Sequence, residues 1–297
     1  MRMLGRVTVA LVTPFDDEGR VVAENVRRLA RYVVNLGAEG VVVGATTGEA
    51  PTLSAEERRL LLEATLAEVG DEVPVWASTG TYSTKETVLR SKEAESEGAD
   101  GLLVVTPYYN RPPQEGLYAH FLTVAQETAL PLMIYNIPGR TGVNILPETL
   151  ARLNEAAPNV VAVKESSGDL GQAVDVLRLS AGRVRLFTGE DALTLPTLAV
   201  GGYGVVSVAA HLVADRMRQM VDAYLQGNVQ EATRINQELK PLCDALFATT
   251  NPIPVKWALQ RLGLPVGDVR PPLCALLQPL QQRVELALRD AGLLPRG

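Results

Sequence analysis

Eight short apolar runs rich in β-branched residues recur along the first two-thirds of this 297-residue chain. Each run is nearly continuous rather than alternating, which is typical of strands buried on both faces of a parallel sheet. The runs occupy residues 7–12, 40–44, 73–77, 101–105, 132–135, 160–164, 184–188 and 204–208. This repetition constrains the fold more than any other feature of the chain.

The segments between these runs show helical spacing and helix-start signals. Ser54 and Glu57 form a capping-box pattern, which Ser83 and Glu86 repeat. Eight strand–helix units without a hairpin signal predict an α/β fold, a (β/α)8 TIM barrel, which typically needs about 250 residues. The competing fold is a doubly wound open sheet, but no G-x-G-x-x-G motif follows the first strand.

Beyond residue 208 the pattern is purely helical. We predict helices at residues 213–226, 229–248, 253–262 and 273–291, separated by segments that contain prolines. The sequence therefore predicts a barrel domain at residues 1–226 and a C-terminal helical extension at residues 227–297. The extension packs on the barrel and is a candidate oligomer interface.

Charge and the rarer residue types exclude several functions. A formal net charge of −6 argues against binding to nucleic acid or to an anionic membrane. The short apolar run at the N-terminus cannot span a bilayer and lacks a cleavage signal, so we expect a cytoplasmic protein. Cys243 and Cys274 lack metal or redox spacing and are expected on helices. His120 and His211, the only histidines, predict no metal site.

One lysine ends an apolar predicted strand, Val-Val-Ala-Val-Lys164. An ammonium group there must be paired with a carboxylate, or the amine must be held neutral. A neutral amine attacks a ketone to form an imine, which then yields a carbon nucleophile without a metal or cofactor. Tyr135 ends the preceding strand, about 5 Å away in a parallel sheet, and can move protons at this amine. The alternatives are a lysine paired inside the barrel and a tyrosine with a structural hydroxyl.

Two other strand-end segments are suited to carboxylates. The loop at residues 44–49, Gly-Ala-Thr-Thr-Gly-Glu, offers hydroxyls and backbone N–H groups that can hold a small anion. Arg140, shortly after Tyr135, is suited to bidentate capture of a second carboxylate. A plain tight loop and a surface arginine are the alternatives.

Together these segments resemble the dihydrodipicolinate synthase family, class I aldolases related to N-acetylneuraminate lyase. The matching segments are VTPF at 12–15, GATTGE at 44–49, TPYYNRPPQEG at 106–116, YNIPGRTG at 135–142, VKESSG at 163–168, residues 201–208 and NPIPVKW at 251–257. The resemblance covers essentially the whole chain, and the tyrosine and lysine motifs in their correct order are highly specific.

The resemblance implies catalytic roles at four positions. Lys164 would form a Schiff base with pyruvate, and Tyr135 would donate and accept protons. Thr46 and Tyr109 would complete a proton relay, with Tyr109 supplied by the neighbouring subunit of a tight dimer. Such enzymes assemble as homotetramers, dimers of dimers, and use no cofactor or metal.

The resemblance also implies the binding residues and the reaction. Thr47, with the adjacent backbone at Gly48, and the main chain at Val206 would hold the pyruvate carboxylate. Arg140 would receive the carboxylate of L-aspartate 4-semialdehyde. Condensation and cyclisation would give 4-hydroxy-tetrahydrodipicolinate, the committed step toward diaminopimelate and lysine.

Two alternative functions remain. A sibling aldolase would act on a 2-keto-3-deoxy sugar acid or on 4-hydroxy-2-oxoglutarate, although such lyases generally lack an arginine at position 140. A catalytically silent metabolite-binding barrel would form no covalent adduct.

The chain also departs from lysine-inhibited members of the family. It shares Glu86 and Tyr108 with them, but differs at five other positions of the inhibitor site. These are Ala50, Pro51, Ala55, Arg58 and Tyr82. Because the Arg58 cation would repel the ammonium of an inhibitor, we expect weak or absent feedback by lysine.

Overall fold

The eight predicted strands form a closed parallel barrel. A computed structural model describes residues 2–295, and within them each strand pairs with its sequence neighbours while the eighth closes on the first. The strands are β1 (Val7–Ala10), β2 (Val41–Val43), β3 (Val75–Ser78), β4 (Gly101–Val105), β5 (Leu132–Asn136), β6 (Val160–Glu165), β7 (Arg185–Thr188) and β8 (Gly204–Ser207). The predicted (β/α)8 barrel is confirmed, with strand ends shifted by one or two residues.

Helices connect the strands and continue into the C-terminal extension. They are α1 (Ala23–Asn35), α2 (Ala55–Val69), α3 (Thr84–Ser96), α4 (Gln114–Gln126), α5 (Pro138–Thr141), α6 (Pro147–Ala156), α7 (Leu170–Leu179), α8 (Thr194–Ala199), α9 (Ala210–Leu225), α10 (Val229–Leu246), α11 (Ile253–Arg261) and α12 (Gln278–Asp290). Within residues 2–295, no helix is long and apolar enough to cross a membrane.

The two predicted capping boxes have different outcomes. At α2, the Glu57 N–H donates to the Ser54 hydroxyl and the Ser54 N–H donates to the Glu57 carboxylate, so the box is complete. At α3, Ser83 accepts from the Glu86 N–H, but the reciprocal bond is missing. The Glu86 carboxylate instead pairs with Arg90 at 2.8 Å. The second box is therefore only half formed.

The prediction was wrong about the start of the last helix. Helix α12 begins at Gln278 rather than at residue 273, because prolines before and at this point fix the backbone and Pro279 is accommodated in the first helical turn. Cys274 consequently lies outside any helix and is exposed, contrary to expectation, whereas Cys243 is buried in α10. Helix α9 also begins earlier than predicted, with a non-helical residue at Val213.

Side-chain alternation along the strands separates an inner core from an outer one. The inner cluster includes residues from all eight strands: Ala10, Val42, Trp76, Leu103, Met133, Ala162, Phe187 and Val206. Tyr135, two residues after Met133, belongs to the same cluster. Lys164 follows Ala162 by two residues, so it projects from the same inward face at the carboxyl-terminal end of the barrel.

The C-terminal extension shares its core with the barrel helices. Helix α10 packs on α9 and α12, and α11 also contacts α9. Buried side chains of the extension, such as Leu242, Val255 and Val284, join the outer hydrophobic cluster that contains the barrel helices. This packing fixes the position of the segment between α10 and α11 relative to the strand ends.

His211 links α9 to the end of β1. Its Nε2 accepts a hydrogen bond from the Val12 N–H at 3.1 Å, and its Nδ1 lies 2.9 Å from the Val208 carbonyl oxygen. The neutral imidazole satisfies both contacts, with the proton on Nδ1. Burial disfavours the charged ring and lowers the pKa of His211 to about 4.

We predict that acidification destabilises the fold through His211. Because its folded-state pKa of about 4 lies below the ordinary 6.5, its contribution is fully present above pH 6.5 and is lost as the pH falls toward 4. The loss is on the order of 3 kcal/mol across that window. Denaturant unfolding of the native chain and of His211→Gln at several pH values checks this. The variant is expected to be less stable at neutral pH but to lose less stability on acidification; parallel profiles would contradict the assignment.

Candidate active site

Lys164 and Tyr135 lie side by side at the carboxyl-terminal end of the barrel. The two residues are register partners on β6 and β5, and both side chains are buried. The Lys164 Nζ lies 4.3 Å from the centroid of the Tyr135 ring. The chain order of the two strands thus places the phenol beside the amine, as the sequence predicts.

Lys164 has no carboxylate partner within the part of the chain that the structure describes. Among residues 2–295, no acidic side chain forms an ion pair with it and no hydrogen bond reaches its Nζ. The next residue, Glu165, points to the opposite face of β6, because successive strand residues alternate. Its carboxylate accepts hydrogen bonds from the Ser167 N–H at 2.7 Å and from the Gln172 and Asn136 side-chain amides at 2.9 and 3.0 Å. The amine of Lys164 therefore remains available for chemistry.

Gly189 provides the space that Lys164 occupies. A Cβ atom at this position would lie 2.7 Å from Lys164 Cε and 1.9 Å from the Ser166 hydroxyl oxygen. Both separations are far below van der Waals contact. A larger residue at position 189 would therefore displace the ends of the Lys164 and Ser166 side chains from their present positions.

A second buried lysine, Lys256, differs from Lys164 because it is paired with a carboxylate. Its Nζ pairs with the Glu49 carboxylate at 3.1 Å and donates to the Asp268 carbonyl oxygen at 2.6 Å, with both charged side chains almost wholly buried. Burial lowers the pKa of Lys256 to about 8, although Glu49 opposes that shift. Sequence reasoning missed this pair. The lysine in NPIPVKW was the available signal, but nothing in the sequence assigns its partner 207 residues away.

The loop at residues 44–49, here called the threonine loop, is a tight turn at the end of β2. Gly44 and Glu49 have positive φ angles of 63° and 56°, which bend the backbone at both ends of the loop. The Thr13 hydroxyl donates to the Gly48 carbonyl oxygen at 2.6 Å, and a Cβ at Gly48 would lie only 3.0 Å from the Leu11 carbonyl oxygen. The loop is therefore packed closely against the end of β1.

The two threonines of this loop differ in exposure. Thr46 is half-buried, and its carbonyl oxygen accepts from the Glu49 N–H at 3.1 Å. Thr47 is buried, and its hydroxyl oxygen accepts from the Asn251 side-chain amide at 2.9 Å. Asn251 precedes α11 and was not predicted as a site residue.

Arg140 reaches the same asparagine from another strand end. It lies in the one-turn helix α5 after β5, is exposed, and donates from Nη2 to the Asn251 carbonyl oxygen at 3.2 Å. Thr47 and Arg140 are thus linked through one residue of the C-terminal extension. Val206 lies in the inner barrel cluster with Tyr135.

Tyr109 is not part of this group within the single chain. Its side chain is 92% exposed and its φ angle is 71°, an uncommon conformation for a residue other than glycine. The neighbouring Tyr108 instead forms an edge-to-face contact with Tyr82, with ring centroids 5.4 Å apart. Tyr109 therefore projects away from the chain that carries it.

Two acidic residues follow β7 near the lysine. Burial raises the pKa of Glu190, with a further contribution from Asp191 and opposing effects of Lys164 and Arg140. Burial likewise raises the pKa of Asp191, whose Oδ2 accepts from the backbone N–H groups of Val208 and Ala209 at 3.1 and 2.8 Å. Residues 2–295 contain no group of three histidine, cysteine or acidic side chains arranged to hold a metal ion.

Comparisons with known proteins find the same family over almost the whole length of the chain. A model of the dihydrodipicolinate synthetase family matches residues 3–291. The 4-hydroxy-tetrahydrodipicolinate synthase of Moorella thermoacetica is 49% identical over 290 residues, covering 98% of this chain and 99% of the relative. The crystal structure of the Cyanidioschyzon merolae enzyme with lysine bound has a TM-score of 0.97 at 42% identity, covering 99% of this chain and 100% of that one. The chloride-inhibited Acinetobacter baumannii enzyme complexed with pyruvate has a TM-score of 0.95 at 35% identity, covering 98% of this chain and 100% of that one.

Proposed function

Because the chain belongs to the dihydrodipicolinate synthetase family, we propose that it condenses pyruvate with L-aspartate 4-semialdehyde through an imine on Lys164. It is an enzyme of the lyase class, like its curated relatives. The observation that carries the proposal is the buried Lys164 amine, which has no ion-pair partner among residues 2–295 and lies against the Tyr135 ring. A lysine that served only the fold would be expected to have a partner such as the one Lys256 has.

The covalent step begins at the Lys164 amine. Its nitrogen attacks the keto carbon of pyruvate, and loss of water gives a protonated imine. That cation withdraws electrons, so the methyl group loses a proton and becomes an enamine carbon nucleophile. Tyr135 moves the protons in these steps, with Thr46 and the Tyr109 of a neighbouring subunit completing the relay.

Carboxylate binding orients both substrates. Thr47, the backbone at Gly48 and the main chain at Val206 hold the pyruvate carboxylate, and Arg140 receives the carboxylate of the semialdehyde. The enamine carbon bonds to the aldehyde carbon. The substrate amino group then attacks the imine carbon and displaces the Lys164 amine. The product is 4-hydroxy-tetrahydrodipicolinate, with one water released overall, and no metal or cofactor takes part.

A substrate panel tests this function. Initial rates with pyruvate and the semialdehyde are expected to exceed those with any aldose, or with the retro-aldol substrate 4-hydroxy-2-oxoglutarate, by orders of magnitude. A preference for a sugar acid would instead assign the chain to the sibling aldolases. No turnover with any aldehyde, together with no pyruvate adduct, would indicate a metabolite-binding barrel.

The relay requires an assembled enzyme, which we propose is a homotetramer built as a dimer of dimers in the cytoplasm. The 92% exposure of Tyr109 supports a contact with another subunit, because this tyrosine lies outside the site of its own chain and can join the relay only at the site of a neighbouring one. Neither Cys243 nor Cys274 forms a disulfide, which fits a reducing compartment. Light scattering during gel filtration gives the number of subunits.

We predict weak or absent feedback by lysine. Arg58 has no acidic partner within residues 2–295, and burial together with the neighbouring Arg90 lowers the pKa of Arg58. Glu86, which would face an inhibitor's ammonium, is already paired with Arg90. The ammonium of lysine would therefore be repelled by the Arg58 and Arg90 cations, and the Glu86 carboxylate that could bind it is already paired.

Steady-state rates at increasing lysine concentration check this prediction. The native enzyme is expected to keep most of its activity at millimolar lysine. The variant Arg58→His, which is neutral at alkaline pH, is expected to be inhibited more strongly. Half-inhibition of the native enzyme at submillimolar lysine would refute the prediction.

A further inference from the structure

We infer that Asn251, a residue of the C-terminal extension, is a positioning residue that turns the Thr47 hydroxyl toward the carboxylate of the bound keto acid. Asn251 lies 204 residues from Thr47 in the chain, outside the barrel strands and their loops. The inference rests on the proposed function, which assigns Thr47 to the pyruvate carboxylate. If it is correct, a residue of the C-terminal extension also contributes to pyruvate binding.

The hydrogen bond between the two side chains determines which way the hydroxyl donates. The Asn251 Nδ2 donates to the Thr47 hydroxyl oxygen at 2.9 Å, in a buried contact. A hydroxyl has one hydrogen to give and two lone pairs to accept with. While its oxygen accepts from an amide, its hydrogen stays free for another acceptor. An ionised carboxylate can only accept, so Asn251 leaves Thr47 as the donor that this substrate needs.

Asn251 also contacts the second carboxylate site. Its backbone carbonyl oxygen accepts from Arg140 Nη2 at 3.2 Å. Its side-chain Oδ1 is buried and has no hydrogen-bond partner within residues 2–295. Asn251 therefore makes polar contacts with one residue of each proposed carboxylate site.

The threonine loop is held independently of this bond. The Glu49 carboxylate at its end accepts from Lys256 Nζ at 3.1 Å and from the Arg270 N–H at 2.8 Å. Thr13 also holds the loop, through the Gly48 carbonyl oxygen. Removal of the Asn251 amide is therefore expected to leave the loop in place and to change only the Thr47 hydroxyl. This separates a positioning role from a structural one.

A double-mutant cycle tests the inference. Asn251→Leu and Thr47→Val are each expected to raise the KM for pyruvate by about 10- to 100-fold, the scale of a hydrogen bond to a charged group, with little change in kcat. The double variant is expected to be no worse than Thr47→Val alone, because the amide acts through the hydroxyl. Multiplicative effects of the two changes would overturn the inference.

Controls distinguish a failure of the proposed function from a failure of the role assigned to Asn251. Asn35→Leu makes the same substitution at the exposed end of α1 and is expected to leave the pyruvate KM unchanged. If Asn251→Leu does not fold, Asn251→Ser takes its place in the cycle with the same expected outcome. Failure of the native enzyme to form a borohydride-trapped pyruvate adduct would defeat the proposed function itself. A native adduct with an unchanged KM in Asn251→Leu or Asn251→Ser would defeat only the role of Asn251.

Discussion

Replacement of Lys164 by alanine is expected to lower kcat/KM by about four orders of magnitude or more while the protein stays folded. Loss of a covalent nucleophile removes the whole imine pathway, and comparable nucleophile deletions reach about 10⁶-fold. The melting temperature is expected to be unchanged or higher, because the lost side chain is buried and has no ion-pair partner among the described residues, 2–295. Steady-state kinetics and thermal unfolding of the variant provide the two measurements.

Two other lysines serve as controls for this result. Lys240→Ala removes an exposed lysine of α10 and is expected to change neither activity nor stability measurably. Lys256→Met leaves the Glu49 carboxylate buried without its cation and is expected to cost about 3–5 kcal/mol of stability. A Lys164→Ala enzyme that unfolds like Lys256→Met, or that keeps native activity, would contradict the assigned roles.

Tyr135→Phe is expected to lower kcat by about 10²- to 10⁴-fold, the usual range for a group that transfers protons in the transition state. The phenyl ring keeps the contact with Lys164, so the loss reports the hydroxyl alone. Imine formation with pyruvate is expected to be slowed rather than abolished, because the amine itself is intact. Single-turnover trapping and steady-state rates distinguish the two effects.

Tyr224→Phe is the matched control for this substitution. Tyr224 is a partly buried tyrosine of α9, outside the group formed by Lys164 and its neighbours. Its variant is expected to show native rates. Native rates in Tyr135→Phe as well would exclude the phenol from proton transfer and leave it a packing role.

Local sequence patterns were sufficient to predict the barrel and the proximity of Lys164 to Tyr135. Strands buried on both faces read as continuous apolar runs, and strand order alone places the end of β5 beside the end of β6. Alternation from Ala162 then turns Lys164 inward. Each of these inferences uses residues that are close in the chain or on consecutive strands.

The remaining features depend on contacts between distant segments. The pairing of Glu49 with Lys256 joins positions 207 residues apart, and the contact of Asn251 with Thr47 joins positions 204 apart. No periodicity or motif spacing encodes such pairs. The exposure of Cys274 was missed for a different reason, since helical spacing alone did not show that prolines delay the start of α12.

Covalent trapping is the most direct test of the central claim. The native enzyme is incubated with pyruvate, reduced with borohydride, digested and analysed by mass spectrometry. The proposed mechanism predicts one reduced pyruvyl group on each chain, located on the peptide that contains Lys164 and absent from the Lys164→Ala variant. An unmodified Lys164, or an adduct on another lysine such as Lys256, would contradict it.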